Sequence, residues 1–169
     1  MLIIFGSGDH RISRTIKRST KSIWTHCGPI DEEDGQVIES LGPPFREWLK
    51  HSLFGASYSK PYGVTKTPLL EFIARYPLVD IRETYGDIEI ARARLGMPFD
   101  MLGLICAYIK VNYHDPIKDF CVETTAHAMC SVKSHLAHKE SPGGIYWLCS
   151  PLPDNHPYKS HLKTNQINS

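Results

Sequence analysis

Cys121, at the start of an amphipathic segment, is the residue of this chain best placed for nucleophilic chemistry. It follows Asp119 and Phe120, and in the residues after it apolar side chains recur at near-helical spacing. The first turn of a helix exposes N–H groups that have no partner inside the helix, so this end favours an anion. A thiolate is such an anion, and it is the reactive form of cysteine. Cys121 is therefore a candidate nucleophile, and a half-buried structural cysteine is the alternative.

A nucleophilic cysteine needs a base within hydrogen-bonding reach and a third group that orients the base. His26 and Glu39 are candidates because each lies in a strand-like segment, and the acidic turn at 31–35 between them predicts a hairpin. Side chains alternate across a strand, so His26 and Cys27 should face opposite sides. The hairpin register can bring Glu39 beside His26. A strand histidine bonded to another neighbour and an exposed strand carboxylate remain the alternatives.

The remaining pattern predicts an α+β domain that must position these residues. Apolar residues in short runs or alternation predict strands at 2–5, 22–30, 36–40 and 78–83, whereas helical spacing predicts helices at 11–20, 45–52, 68–75, 88–95, 101–111 and 120–138. Residues 53–66 are rich in Gly, Ser, Tyr and Pro and are predicted to be a loop. We expect one domain over 1–149 and a polar, loosely ordered tail over 150–169.

The charge distribution argues against several classes of partner. The chain of 169 residues has a formal net charge of +1, so no overall field favours nucleic acid or an anionic membrane. Arg11, Arg14, Arg18 and Lys21 share one helix face, which could be a nucleic-acid patch or the side of an anionic substrate groove. The near-neutral total favours a third interpretation, a solvated helix face, and no nucleic-acid partner is expected.

The apolar and cysteine patterns set further expectations. No run approaches the roughly 18–20 apolar residues of a membrane span, and Met1–Phe5 is too short for a signal sequence. We therefore expect a cytoplasmic protein without a membrane span. The five cysteines show no CxxC spacing, which indicates neither a disulfide framework nor a zinc site. His135 and His138 lie on one predicted helix face without a third ligand, so no metal or other cofactor is expected.

Short blocks of the sequence resemble, in their order and spacing, the circularly permuted members of the NlpC/P60 papain-like superfamily. The first block is Ser-Gly-Asp-x-x-Ile-Ser-x-x-Ile-Lys, and another is Phe-Cys-Val-Glu, which resembles the aromatic-Cys-Ser-Glu start of the family's cysteine helix. The blocks extend from residue 6 to residue 146 and lie at 7–17, 22–28, 37–40, 95–104, 120–123 and 141–146.

This resemblance implies a fold, an activity and a set of roles. The fold would be an antiparallel half-barrel sheet packed against the cysteine helix. Cys121 would be the nucleophile, His26 the general base and Glu39 the orienting residue of a cysteine amidase or peptidase acting on a small-molecule or peptide-like amide. Val122 departs from the family, which often has serine there. Cys27 is a second departure, and strand alternation makes it a poor nucleophile.

Two other functions stay open at this stage. The same three residues could serve an acyltransferase, a thioesterase or a lipid esterase, because all of these reactions pass through an acyl-enzyme. Alternatively, the fold could persist as a binding module without chemistry, for which Val122 and the basic face at 11–21 are the motivation.

Overall fold

The computed structural model describes residues 1–55, 57–58, 62–108, 111, 113, 115–133, 137 and 139–166. The strands are β1 (Leu2–Ser7), β2 (His26–Asp31), β3 (Gln36–Leu41), β4 (Gly63–Pro68), β5 (Leu78–Glu83) and β6 (Ser150–Pro151). The helices are α1 (Arg11–Thr20), α2 (Phe45–Phe54), α3 (Leu69–Arg75), α4 (Ile88–Arg92), α5 (Met101–Tyr108), α6 (Cys121–Ala128), α7 (Pro142–Trp147) and α8 (Pro157–Gln166).

The strands form one open antiparallel sheet in the order β4-β3-β2-β1-β5-β6. The predicted α+β class is thereby confirmed. β1 occupies an interior position because its apolar run Leu2–Phe5 supplies side chains for both faces. Ile3 and Phe5 point into one core cluster, while Leu2 and Ile4 point into another. All six residues of β1 are buried.

Helices cover both faces of the sheet. On one face, α6 packs against β2 and β3. Val122 and Ala126 of α6 and Ile145 of α7 contribute to the first core cluster. On the other face, α3 supplies Leu69, Phe72 and Ile73 to the second cluster. The cysteine helix and the helix that follows β4 therefore lie on opposite sides of the sheet.

Two elements differ from the predicted boundaries. The predicted loop at 53–66 ends in strand β4, whose residues 63–68 pair along the whole of β3. The helix predicted over 120–138 ends at Ala128, because the carbonyl of Ala128 accepts a hydrogen bond from the N–H of Asp87 (2.9 Å) and Met129 is extended. The start of β4 and the end of α6 are therefore both set by hydrogen bonds to distant segments, which no local sequence pattern encodes.

The C-terminal segment contradicts the expectation of a loosely ordered tail. Ser150 and Pro151 pair with β5, and Leu152 is buried with 4% of its surface exposed. α8 follows, and Tyr158 and Leu162 pack against the second core cluster. Their spacing of four residues places both on one helix face, a signal that the polar composition obscured.

α5 also departs from the pattern of its sequence. The helical spacing of Leu102, Ile105, Cys106 and Ile109 predicts one buried stripe. Cys106 is buried, but Leu102 is 45% exposed. Ile109, the last residue of that stripe, lies outside the described residues. Among the residues that the structure describes, every helix is too short or too polar to cross a membrane.

Candidate active site

The His26 and Glu39 side chains meet on one face of the β2–β3 hairpin. Nε2 of His26 lies 2.6 Å from Oε2 of Glu39. The two strands pair Ile30 with Val37. His26 lies four residues before Ile30 and Glu39 two residues after Val37, so alternation places both side chains on the face of that pair. The hairpin that the sequence indicated thus brings these two residues together.

The carboxylate of Glu39 is fully buried and compensated on both oxygens. Oε1 accepts a hydrogen bond from Nη1 of Arg75 at 2.9 Å, and the Thr67 hydroxyl is a further partner. Burial alone would raise the pKa of Glu39, but the hydrogen bond to His26, that to Thr67 and the charge of Arg75 outweigh it and lower the pKa. Glu39 is therefore an anion aimed at the imidazole.

His26 packs against two neighbouring aromatic rings, and its other interactions favour the protonated form. The rings of Phe72 and Tyr76 both stack on it with centroids 5.8 Å away. Burial disfavours the imidazolium, but electrostatic interactions with Tyr76 and Cys121 and hydrogen bonds with Cys121 and Glu39 raise its pKa well above the ordinary value. Because Nε2 faces Glu39, the hydrogen bond to Cys121 falls to Nδ1.

A short network fixes Cys121 at the start of α6. The carbonyl of Asp119 accepts a hydrogen bond from the hydroxyl of Ser40 at 2.8 Å. The carboxylate of Asp119 accepts one from the Thr124 hydroxyl at 2.9 Å and forms an ion pair with Arg94. The aspartate two residues before the cysteine, noted in the sequence, therefore ties the helix start to β3 and to the segment after α4.

Cys121 alone among the buried cysteines is hydrogen-bonded to His26 in the described part of the chain. Cys27 lies on the face of β2 opposite to His26, where its Sγ is 3.5 Å from the hydroxyl of Thr125. Burial and the electrostatic interaction with Cys121 raise the pKa of Cys27. Burial raises the pKa of Cys149 to about 11. Both are therefore neutral thiols at physiological pH. Val122 is buried in the first core cluster, where a serine would face apolar neighbours.

A cleft of about 510 Å³ opens in front of Cys121 and His26. Tyr76 and Thr25 also border it, and most of the remaining wall is apolar. α1 contributes Ile12 and Ile16, α5 contributes Met101, Leu104 and Ile105, and Leu41, Pro43, Phe45 and Phe99 complete the apolar lining. The arrangement places a thiol and an imidazole at the wall of an apolar chamber large enough for part of a small ligand.

Glu123, two residues after Cys121, forms part of a buried acidic group behind the cleft. Its Oε2 accepts the N–H of Phe120 at 3.3 Å. Burial and the neighbouring carboxylates of Asp119 and Asp100 raise its pKa to about 8, so the folded protein holds it protonated near neutral pH. Because the folded pKa exceeds the unfolded value, stability should fall as the pH rises from about 4.5 to about 8.

We expect Glu123→Gln to stabilise the protein at alkaline pH. The amide keeps an acceptor for the Phe120 N–H but cannot ionise, so the gain should be on the order of 3 kcal/mol at pH 8.5 and near zero at pH 5. Thermal unfolding of both proteins at the two pH values measures it. Glu32→Gln, an exposed carboxylate on the 31–35 turn, is the control and should show no such difference. An equal effect of Glu123→Gln at both pH values would contradict the assignment.

Three partners of the site escaped the sequence analysis: Arg75, Thr67 and Tyr76. Arg75 and Tyr76 lie at the C-terminal end of α3, where their sequence pattern indicates only a helix end, and Thr67 precedes Pro68 in the typical pattern of a helix N-cap. A buried carboxylate requires a cation or several hydrogen-bond donors. The burial of Glu39 is therefore the one signal that points to a partner such as Arg75. The expected pair His135 and His138 lies outside the described residues.

Comparison with known proteins gives no assignment. The chain matches no protein-family model, no curated protein and no solved structure.

Proposed function

We propose that the protein is a cysteine hydrolase that cleaves an amide bond through an acyl-enzyme intermediate. One observation carries the proposal: Cys121, at the start of α6, hydrogen-bonds to His26, whose Nε2 lies 2.6 Å from the buried Glu39, and the cysteine and histidine border one cleft. The chain order of His26, Glu39 and Cys121 and the packing of α6 on an antiparallel sheet support the permuted papain-like resemblance.

In the acylation step, the Cys121 thiolate attacks the carbonyl carbon of the substrate. The oxyanion that forms can accept a hydrogen bond from the N–H of Cys121, because the first N–H groups of a helix have no partner within it. The His26 imidazolium donates its proton to the leaving nitrogen, and the C–N bond breaks. Glu39 holds the ring in place and favours its cationic form.

In the deacylation step, water replaces the amine. Neutral His26 accepts a proton from the water molecule as its oxygen attacks the thioester carbonyl. The C–S bond then breaks, which releases the carboxylic acid and restores the cysteine–histidine pair. No metal ion or organic cofactor is needed to balance either step.

Transfer to another acceptor, or cleavage of a thioester or lipid ester, is the second candidate. The apolar wall of the cleft favours it, because Ile16, Leu104 and Ile105 would contact an aliphatic acyl chain better than a polar peptide. The reaction at Cys121 would be the same up to the acyl-enzyme. The two candidates differ in the leaving group and in what removes the acyl group.

Trapping the acyl-enzyme tests the proposal. We expect acyl p-nitroanilides and acyl thioesters, quenched with acid during turnover, to leave the acyl mass on the peptide that contains Cys121. Hydroxylamine or another amine added before the quench should shorten the lifetime of the adduct, and the product then distinguishes hydrolysis from transfer. Acylation spread over Cys27, Cys130 and Cys121 alike, or an unchanged rate of turnover by Cys121→Ala, would exclude Cys121 as the nucleophile.

A further inference from the structure

Two helices border the mouth of the cleft, and neither contains a buried residue. α1 contributes Arg11, Ile12 and Ile16 to the lining, and α2 contributes Phe45. Surface helices of globular proteins normally bury an apolar stripe against the core. α1 and α2 therefore form an outward face around the opening of the cleft, which we call the mouth face.

α2 has two different sides. Trp48 and His51 line a second cavity beside Tyr58 and Tyr62, so this side faces the body of the protein. The opposite side carries Leu49, Leu53 and Phe54, which are 40%, 64% and 81% exposed. Arg46 and Lys50 lie among these apolar residues. Exposed apolar side chains flanked by cations are characteristic of helices that lie in the interface of a bilayer.

The positive charge of the chain is concentrated on the mouth face. α1 with Lys21, together with α2, carries seven of the 19 Lys and Arg residues but one of the 18 acidic residues. That acidic residue, Glu47, accepts a hydrogen bond from Tyr62 at 2.8 Å. Of the basic residues of α1, Lys17 forms an ion pair with Asp9, while Arg11, Arg14 and Arg18 are exposed. A chain of almost zero net charge thus has one strongly cationic surface.

We propose that the mouth face binds the surface of an anionic membrane. The exposed side chains Leu53 and Phe54 would enter the boundary between headgroups and acyl chains, and the cations of α1 and α2 would lie against the anionic headgroups. An anionic membrane would contact both the cations and the exposed apolar side chains of the mouth face. Nucleic acid would pair with the cations but leave Leu53 and Phe54 in water. Docking would bring the cleft in front of Cys121 to the lipid.

The binding experiment is independent of the proposed reaction, because it uses the full chain with Cys121→Ala. Sedimentation with vesicles of phosphatidylcholine alone, or of phosphatidylcholine with phosphatidylglycerol, measures the partition coefficient. We expect binding to the anionic vesicles that weakens with salt. Leu53→Asp and Phe54→Asp should each lower it roughly tenfold or more, and Arg14→Ala and Arg18→Ala about fivefold each.

Tyr85→Asp is the matched control. Tyr85 is 89% exposed and follows β5 at the end of the sheet opposite to His26, so the same change there should leave vesicle binding unaltered. All four test side chains are exposed, and thermal unfolding checks that each variant retains the fold. Equal binding to neutral and anionic vesicles, or an effect of Tyr85→Asp equal to that of Phe54→Asp, overturns the proposal.

A third result would also overturn it. If the cationic variants lose binding to RNA while Phe54→Asp has no effect on any partner, the face is a nucleic-acid surface. Turnover is measured on the chain that retains Cys121. There, loss of vesicle binding in Phe54→Asp with turnover of soluble substrates unchanged would support the membrane proposal and the proposed function separately. Vesicle binding by a chain that retains Cys121 but turns over no acyl substrate would support the membrane proposal and contradict the hydrolase.

Discussion

Replacement of Cys121 by alanine is expected to reduce turnover of acyl substrates at least about 10³-fold, the scale on which loss of a nucleophile acts in comparable triads. The variant retains the cleft and the His26–Glu39 pair but has no atom that can form the thioester. Because Cys121 is largely buried at a helix start, alanine should fit there without disturbing the neighbouring backbone. Release of a chromophore from an acyl p-nitroanilide, followed for both proteins, measures the effect.

Cys27→Ala is the matched control for this prediction. Cys27 is adjacent to His26 in sequence and fully buried, but it lies on the opposite face of β2 with Thr125. We expect its replacement to cost some stability through the lost packing and to leave turnover within a few-fold of the original. A profound loss of activity in Cys27→Ala with the fold intact would contradict the assignment of Cys121 as the nucleophile.

Replacement of Glu39 by glutamine is expected to lower turnover about 10²–10⁴-fold, because an amide neither orients the imidazole as a carboxylate does nor stabilises its cation. The hydrogen bond that His26 donates to Glu39 is among the interactions that raise the pKa of His26. Its loss should therefore lower that pKa, and the alkaline limb of the pH–rate profile should move to lower pH. The rate of alkylation of Cys121 by iodoacetamide, followed by peptide mapping, should fall in parallel.

Glu71→Gln is the control that separates the effect of Glu39→Gln on turnover from a general loss of negative charge around Arg75. Oε1 of Glu71 pairs with Nη2 of Arg75 at 3.2 Å, but Glu71 is exposed and does not touch His26. We expect its rate and its pH profile to match those of the unchanged protein. If Glu39→Gln and Glu71→Gln shift the profile equally, Glu39 acts only through the fold, and its role as the orienting residue is wrong.

The pair His26–Glu39 could be predicted from local information, whereas its surroundings could not. Two strand-like segments separated by a short acidic turn predict a hairpin, and a possible register of that hairpin places His26 and Glu39 on one face, although local pattern does not select that register. Arg75 lies 36 residues from Glu39, and nothing in its own segment distinguishes it from an arginine at any helix end. Its contact arises because α3 packs on the face to which Glu39 points.

The extent of the cysteine helix shows the same limit. Its start at Cys121 could be predicted, because the polar loop before it and the apolar periodicity after it are both local signals. Its end at Ala128 depends on the N–H of Asp87, some forty residues earlier in the chain. The periodicity of apolar residues continues past that point and predicts a longer helix, so the tertiary hydrogen bond prevails over the local pattern.

The C-terminal helix illustrates a different reason for error. Polar composition indicated a loose tail, but two apolar residues on one face of α8, Tyr158 and Leu162, suffice to hold it against the second core cluster. Composition averages over a segment, while packing depends on which few residues share a face.

Two contacts of the site depend on the register of β3, because they are made by its adjacent residues Glu39 and Ser40. Glu39 points to one side of the sheet and holds His26, while Ser40 points to the other and holds the carbonyl two residues before Cys121. A slip of β3 by a single position would exchange these directions, so the carboxylate would face α6 and the hydroxyl would face the imidazole. A hairpin misaligned by one position would thus lose the contact to His26 and the contact to the Asp119 carbonyl together.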